Sequence, residues 1–386
     1  MVEKIILKNF KNKTNLKISK NLLDKLKKIE NLQKYKFLES LKNNYKYSYK
    51  PQLIQKYKNY KNINIFGMGG STLGSKAIYK FLHYKIKKKV KFFENLNLKE
   101  KNKIKSLNII ISKSGNTLET AVNFNTNFNL KEKNIFITEN TNNYLRQLAN
   151  KLKSDVVEHK NFIGGRYSVL SEVGMLPAQL MGLNEKKFKQ FNKLIAKKTF
   201  LNNLIDSVIS TFKFIKHKKY NSVILNYDPH SEDLFKWYQQ LISESLGKNS
   251  KGILPVISLM PKDNHSILQL YLSGFKPNFY TFFIVEENKS FKLNSKILLN
   301  NYKFLKNKTV FEVLNAQRIA TEKIFNKKNI PFRSFYIKKR NEEVLGELFC
   351  FFTLEVILLA HLMKVNPLDQ PEVELIKKET FKILNN

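Results

Sequence analysis

Residues 62–82 read NINIFGMGGSTLGSKAIYKFL, and the fold turns on this stretch. A short apolar run ends in a glycine-rich turn, and the turn opens directly into a helical segment. The same grammar returns at residues 107–120, LNIIISKSGNTLET. Strand, tight turn and helix in succession make a βαβ unit, which belongs in a parallel sheet. Working outward, strands are predicted at 63–66, 90–94, 107–111, 135–138 and 156–158, with helices at 72–82, 118–128 and 144–153. Apolar strands of this length between helices are buried on both faces. A second round starts near Asn221, with strands at 223–227, 254–259, 280–285 and 333–337 and helices at 232–245, 265–273, 310–325 and 344–364. Residues 184–217 read as a helical bridge between the rounds. The lysine-rich first 50 residues have helical spacing of Leu, Ile and Phe, and Asn366-Pro367 breaks the chain before a last helix at 372–384. The expectation is an α/β protein of two αβα sandwich domains with parallel sheets, at 51–183 and 184–365. An N-terminal helical segment (1–50) and a C-terminal helical segment (366–386) flank them.

Composition narrows the class. Over 386 residues, 42% are hydrophobic, including 30 Phe and 17 Tyr, enough to build a large core. The single cysteine, Cys350, excludes a disulfide framework and a thiolate metal cluster and fits a reducing compartment. MVEKIILKNFKNKTN lacks the apolar run of a secretory signal, and the run at 349–363 carries Glu355 and His361, so it reads as a buried helix and not a membrane span. A cytoplasmic protein without a membrane partner is expected. The formal charge of +38 raises a nucleic-acid partner. Against it, the only arginines are Arg146, Arg166, Arg318, Arg333 and Arg340, and the lysines run along the whole chain instead of forming a stripe. No specific nucleic-acid site is expected.

Two loops carry chemistry. GMGGSTLGSK (67–76) is not G-x-G-x-x-G, because Thr72 replaces the third glycine, and Ser75-Lys76 reverses the order of a Walker A loop. Nucleotide binding at this loop is therefore not supported, and a plain tight turn competes evenly with an anion site. SKSGNTLET (112–120) offers hydroxyls from Ser112, Ser114, Thr117 and Thr120, with Gly115 permitting a nest of N–H groups. Read alone it is an ordinary helix start. Two such loops after successive strands point to a small, singly phosphorylated ligand at the strand C-termini.

The second loop resembles the phosphate loop of the sugar-isomerase (SIS) superfamily. GMGGSTLG (67–74), GGRYSVLSEVGMLP (164–177), WYQQLISESLGK (237–248), PKDNHSILQLYLSG (261–274) and VNPLDQPEVELIKK (365–378) narrow the resemblance to the phosphoglucose isomerase family. The motifs occur in the family's order and cover most of the chain. The resemblance implies two SIS-type domains and the interconversion of glucose 6-phosphate and fructose 6-phosphate through a cis-enediolate, with no cofactor and no metal. It also implies roles. Glu244 would move the proton between C2 and C1, with Gln240 one turn earlier on the same helix face. Arg166 would face the enediolate oxygen, and His265 and Lys377 would serve ring opening. Gly69, Gly70, Ser71, Ser112, Lys113, Ser114, Thr117 and Thr120 would hold the phosphate end, and Gln240 and Gln370 the sugar hydroxyls. In the family the equivalent of His265 comes from a second subunit, which implies a homodimer with shared active sites. Departures are Leu368, where the family has phenylalanine, and Glu372, where it has glycine. Three alternatives stay open: mannose 6-phosphate as an additional substrate, a sugar-phosphate sensor without catalysis, and a polyanion binder driven by charge alone.

Overall fold

The two α/β rounds form two separate five-stranded sheets in a computed structural model that describes residues 5–8, 16–29, 33–96, 105–274, 276–287 and 289–385. The chain opens with β1 (Ile5–Lys8), α1 (Leu16–Ile29) and α2 (Pro51–Tyr57). The strand is a difference from the expected run of helices over 1–50, parts of which (1–4, 9–15, 30–32) lie outside the described residues. Its physical reason is a partner far along the chain: a four-residue Ile-Ile-Leu-Lys run pairs antiparallel with the last strand, covering that sheet's edge.

The first sheet uses β2 (Asn62–Phe66), β3 (Lys89–Phe93), β4 (Leu107–Ile111), β5 (Lys133–Thr138) and β6 (Asp155–Glu158), all parallel, in the order β3-β2-β4-β5-β6. Alternation along β4 shows why both faces are covered. Ile109 and Ile111 join one core cluster, and Ile110 joins another with Phe124 of α4 (Leu118–Asn127) and Leu145 of α5 (Tyr144–Lys151). On the first face sits α3 (Leu73–Phe81), through Ala77, Ile78 and Phe81. The asparagines of NINIF and LNIII are not misplaced polar residues. Asn64 donates to Asn108 at 3.0 Å and Asn108 to Asn134 at 2.9 Å, a ladder across three strands in register.

Three helices lead to the second sheet: α6 (Glu172–Leu180), α7 (Phe191–Ile195) and α8 (Lys198–Lys216). Then follow β7 (Asn221–Asn226), α9 (Glu232–Leu246), β8 (Leu254–Leu259), α10 (Leu268–Ser273), β9 (Asn278–Val285), α11 (Val310–Lys327) and β10 (Phe332–Ile337). The order is β1-β10-β9-β7-β8, parallel except at β1. The chain ends with α12 (Glu342–Met363) and α13 (Pro371–Asn385). By length and composition α12 could cross a membrane, yet 94% of its apolar window is buried within the protein. Its Glu355 is fully buried and paired with Arg333, with Ser207 and Tyr238 completing the network. Removing one partner of such a pair would cost about 3–5 kcal/mol. The α8, α9 and α12 helices belong to one apolar cluster that contains residues of both sheets, so the two sandwiches share a core.

Candidate active site

The turn after β2 starts the site. Gly69 has φ +53°, a left-handed conformation that glycine adopts without strain, and an added Cβ would stand 2.8 Å from the Gln240 amide. At Gly70 a Cβ would lie 2.3 Å from the carbonyl carbon of Gly165. Backbone therefore rests on backbone, and the β2 turn seats against the short 3₁₀ turn Gly165–Leu170 that carries Arg166. Ser168 Oγ closes the junction, donating to Gly165 O at 2.7 Å and Gly70 O at 3.3 Å.

Arg166 is 3% exposed and its guanidinium is the hub. Nη1 donates to Glu244 Oε2 at 3.0 Å and to Gln370 Oε1; Nη2 donates to the carbonyls of Pro367 at 2.6 Å and Asp369 at 3.1 Å. Glu244 lies near the C-terminal end of α9, where its other oxygen accepts from Gln240 Nε2 at 2.8 Å, as i, i+4 spacing allows. The helix ends at Leu246, and the next position is glycine because a side chain there would collide with Ser243 O, 2.6 Å from the Cβ position. Gly69, Gly70, Arg166, Gln240, Glu244 and Gln370 thus converge from four segments of sequence. Two buried polar atoms in the cluster, Arg166 Nε and Gln240 Oε1, have no hydrogen-bond partner among the described residues. A buried donor or acceptor in that state costs about 1–3 kcal/mol, so such atoms suit an incoming polar ligand.

The second loop follows the neighbouring strand β4. Gly67 marks the closeness of the two turns, since its Cβ would come within 3.0 Å of Ile111 O. Ser112 Oγ and Thr117 Oγ1 are 2.7 Å apart, and Ser114 Oγ accepts from Asn116 N at 3.3 Å. Gly115 has φ +68° and packs under Asn143. The Thr120 hydroxyl is buried at the start of α4 without a partner among the described residues. Ser71 is half-buried at the end of the 3₁₀ turn Gly69–Ser71. Lys113 donates to Asn161 O at 2.7 Å and lies 3.5 Å from Glu139.

The remaining pair is placed differently. His265 ends the 3₁₀ turn Lys262–His265, is exposed, and among the described residues has no hydrogen bond or ion pair. Lys377 lies on α13, exposed, with its amine 2.6 Å from Glu374 of the same helix. Neither touches the Arg166 cluster.

Four contributors carried no role in the sequence reading. Lys248 binds Asp369 at 2.7 Å and the carbonyl of Asn366, and Lys251 donates to Met363 O at 3.0 Å. Together they pin the segment that delivers Pro367, Asp369 and Gln370 to Arg166, and the Lys248 ammonium holds the Asp369 carboxyl below its ordinary range. Tyr167 bridges Ser245 Oγ at 2.8 Å and Pro367 O at 2.9 Å, its phenol pushed up by burial. The signal was present, since Tyr167 and Lys248 stand inside GGRYSV and ESLGK. Lys189 is 8% exposed and donates to the carbonyls of Ser40 and of Leu170, the last residue of the Arg166 turn, beside the faces of Tyr45 and Tyr47. Burial draws its pKa from 10.5 down to about 7.

Comparison with known proteins gives a consistent result. The family model "Phosphoglucose isomerase" matches residues 2–258. The glucose-6-phosphate isomerase of Methanocaldococcus jannaschii is 31% identical over 355 residues, covering 86% of this chain and 87% of that protein. Among solved structures, a hypothetical protein from Thermus thermophilus superposes with a TM-score of 0.83 at 21% identity, covering 99% of this chain and 100% of that one. A glucose-6-phosphate isomerase from Chlamydia trachomatis superposes with a TM-score of 0.68 at 18% identity, covering 86% and 72%. At those identities the structural matches speak for the fold.

Proposed function

Because this chain belongs to the phosphoglucose isomerase family, we infer that it catalyses the reversible isomerisation of glucose 6-phosphate and fructose 6-phosphate, a step of glycolysis and gluconeogenesis. The observation that carries the mechanism is the Arg166–Glu244 pair, 3.0 Å apart and framed by Gln240 and Gln370.

The reaction moves a proton between adjacent carbons while negative charge develops on oxygen. Glu244 takes the proton from C2 of the open-chain aldose and returns it at C1, which suits a single carboxylate held on a rigid helix. Arg166 stabilises the enediolate oxygen. Its four hydrogen bonds fix the guanidinium before substrate arrives, so little reorganisation is needed as charge builds; removing one such donor typically costs about 10²–10³ in kcat. The phosphate end would rest at the turns after β2 and β4, with Gly69, Gly70, Ser71, Ser112, Lys113, Ser114, Thr117 and Thr120. The α3 and α4 helices that follow these turns begin without a side-chain cap among the described residues, which suits an anion at their N-termini.

His265 and Lys377 complete the reading as ring-opening groups. Both are exposed in the single chain, and α13 carries Leu375, Ile376, Phe381 and Ile383 with 60% or more of their surface exposed. A second copy that covers this helix and brings its own His265 to the site fits that placement, so the proposal includes a homodimer with shared sites. A cytoplasmic location belongs to the same proposal, supported by the lone, buried Cys350.

The test is a coupled assay of fructose 6-phosphate turnover on the wild type and on Glu244→Gln. The expected loss is about 10²–10⁴-fold with the fold intact by circular dichroism. A folded wild type without turnover would leave the sugar-phosphate sensor as the standing account.

A further inference from the structure

Both sheets are wound the same way. The chain goes from β2 to β3 on one side, then to β4 on the other; it goes from β7 to β8 on one side, then to β9 on the other. Each reversal leaves a crevice at the strand carboxyl ends, where ligands of open α/β sheets bind. In the first sheet the β2/β4 crevice holds the two turns described above. In the second, the β7/β9 crevice opens into a cavity of about 930 Å³ that the isomerase chemistry does not use.

Its walls come from the segments after β7, β9 and β10, from the first turn of α11, and from the turn His83–Lys85 after α3. The chemistry differs from the first crevice. No serine-glycine loop is present; the segment after β7 reads Tyr227-Asp228-Pro229-His230. Flat rings stand there instead. The His83 and His230 imidazoles stack at 3.7 Å and 16°, with Tyr84 edge-on to His83 at 6.1 Å and 55% exposed. Asp228 and Arg340 form a two-pronged pair at 2.7 and 3.1 Å, so their charges offset one another in the wall. Glu286 and Glu287 also line the cavity, and Glu286 accepts from the Tyr336 hydroxyl at 3.1 Å. Lys338 and Lys339 offer positive charge. Both are exposed on the rim, and among the described residues neither pairs with a carboxylate.

A hexose phosphate would leave most of this volume empty and the ring stack unused. We propose that the β7/β9 crevice is a second ligand site, taking a nucleoside polyphosphate with its base on the His83–His230–Tyr84 surface and its phosphates toward Lys338 and Lys339. The site is separate from the catalytic one. The α9 helix begins at the cavity and carries Glu244 twelve residues later, about 18 Å away.

The experiment is calorimetric titration of the full chain with ATP, at roughly 150 mM salt to suppress loose lysine contacts, first without and then with saturating fructose 6-phosphate. Tripolyphosphate serves as the baseless comparator. ATP should bind once per chain and about tenfold tighter than tripolyphosphate, because the comparator forfeits the stacking. The Lys338→Glu/Lys339→Glu double variant, altered only on the exposed rim, and His230→Ala should each weaken ATP binding by about tenfold or more while turnover stays unchanged. Equal binding of ATP and tripolyphosphate in wild type and variants would reduce the effect to surface lysines and overturn the proposal. Competition by fructose 6-phosphate would move the binding to the catalytic site and overturn it too, as would no binding.

Discussion

Arg166 and His265 stand in loops of similar look, yet the chain treats them oppositely. Arg166 is buried, committed to four acceptors from two segments, and backed by Lys248, Tyr167 and Lys189. His265 is exposed and without partners among the described residues, and Lys377 touches only its own helix. Groups that must oppose charge building on a substrate need to be immobile beforehand, and one chain accomplishes that alone. Under the proposed homodimer, groups that hand over a proton at a ring oxygen would be presented from a surface that a second copy covers.

The sharpest way to break this contrast is complementation. Glu244→Gln and His265→Ala should each be nearly inactive alone; unfolded and refolded together in equal amounts, they should recover about a quarter of wild-type activity, since half the dimers would hold one intact site. No recovery from mixed dimers would mean that each chain builds its own site. The next effect is smaller and tests the buried side. Lys248→Met should lower kcat for fructose 6-phosphate by about 10- to 100-fold with KM little changed, because Arg166 loses the segment that orients it, and Lys248→Arg should restore part of the rate. A change in KM alone would make Lys248 a binding residue.

The smallest effect concerns stability. Lys189 has a folded pKa of about 7 against 10.5 for a free lysine, so the native state sheds its proton first. Between those values the unfolded chain binds more protons, and stability rises with pH across the window. The contribution is lost as pH falls through 7. In urea melts the midpoint of the wild type should therefore climb relative to Lys189→Met between pH 7 and 10. Parallel curves would show that the two carbonyls and two tyrosine faces keep the ammonium charged.

The sequence made the βαβ rounds legible because buried strands and glycine turns are local signals. Predicted strand ends such as 90–94 and 333–337 fall within one residue of Lys89–Phe93 and Phe332–Ile337. The strand Ile5–Lys8 was invisible, since its partner is more than 300 residues away and nothing near it marks an edge. The convergence of Glu244, Gln240 and Arg166 was legible through family motifs. The pinning lysines were not, because one lysine among dozens has no pattern until a carbonyl is found beside it.

The contact between the turns at Gly70 and Gly165 is unequal, and this bears on how the protein can diverge. A side chain at position 70 would strike backbone, which no substitution elsewhere can trim away. At position 165 an added methyl would meet only Gly70 Cα, at an ordinary 3.8 Å. Drift in this site should therefore enter through position 165, with position 70 the residue that lineages cannot abandon. A saturation library at the two codons, screened for turnover of fructose 6-phosphate, would display that asymmetry as a count of active variants.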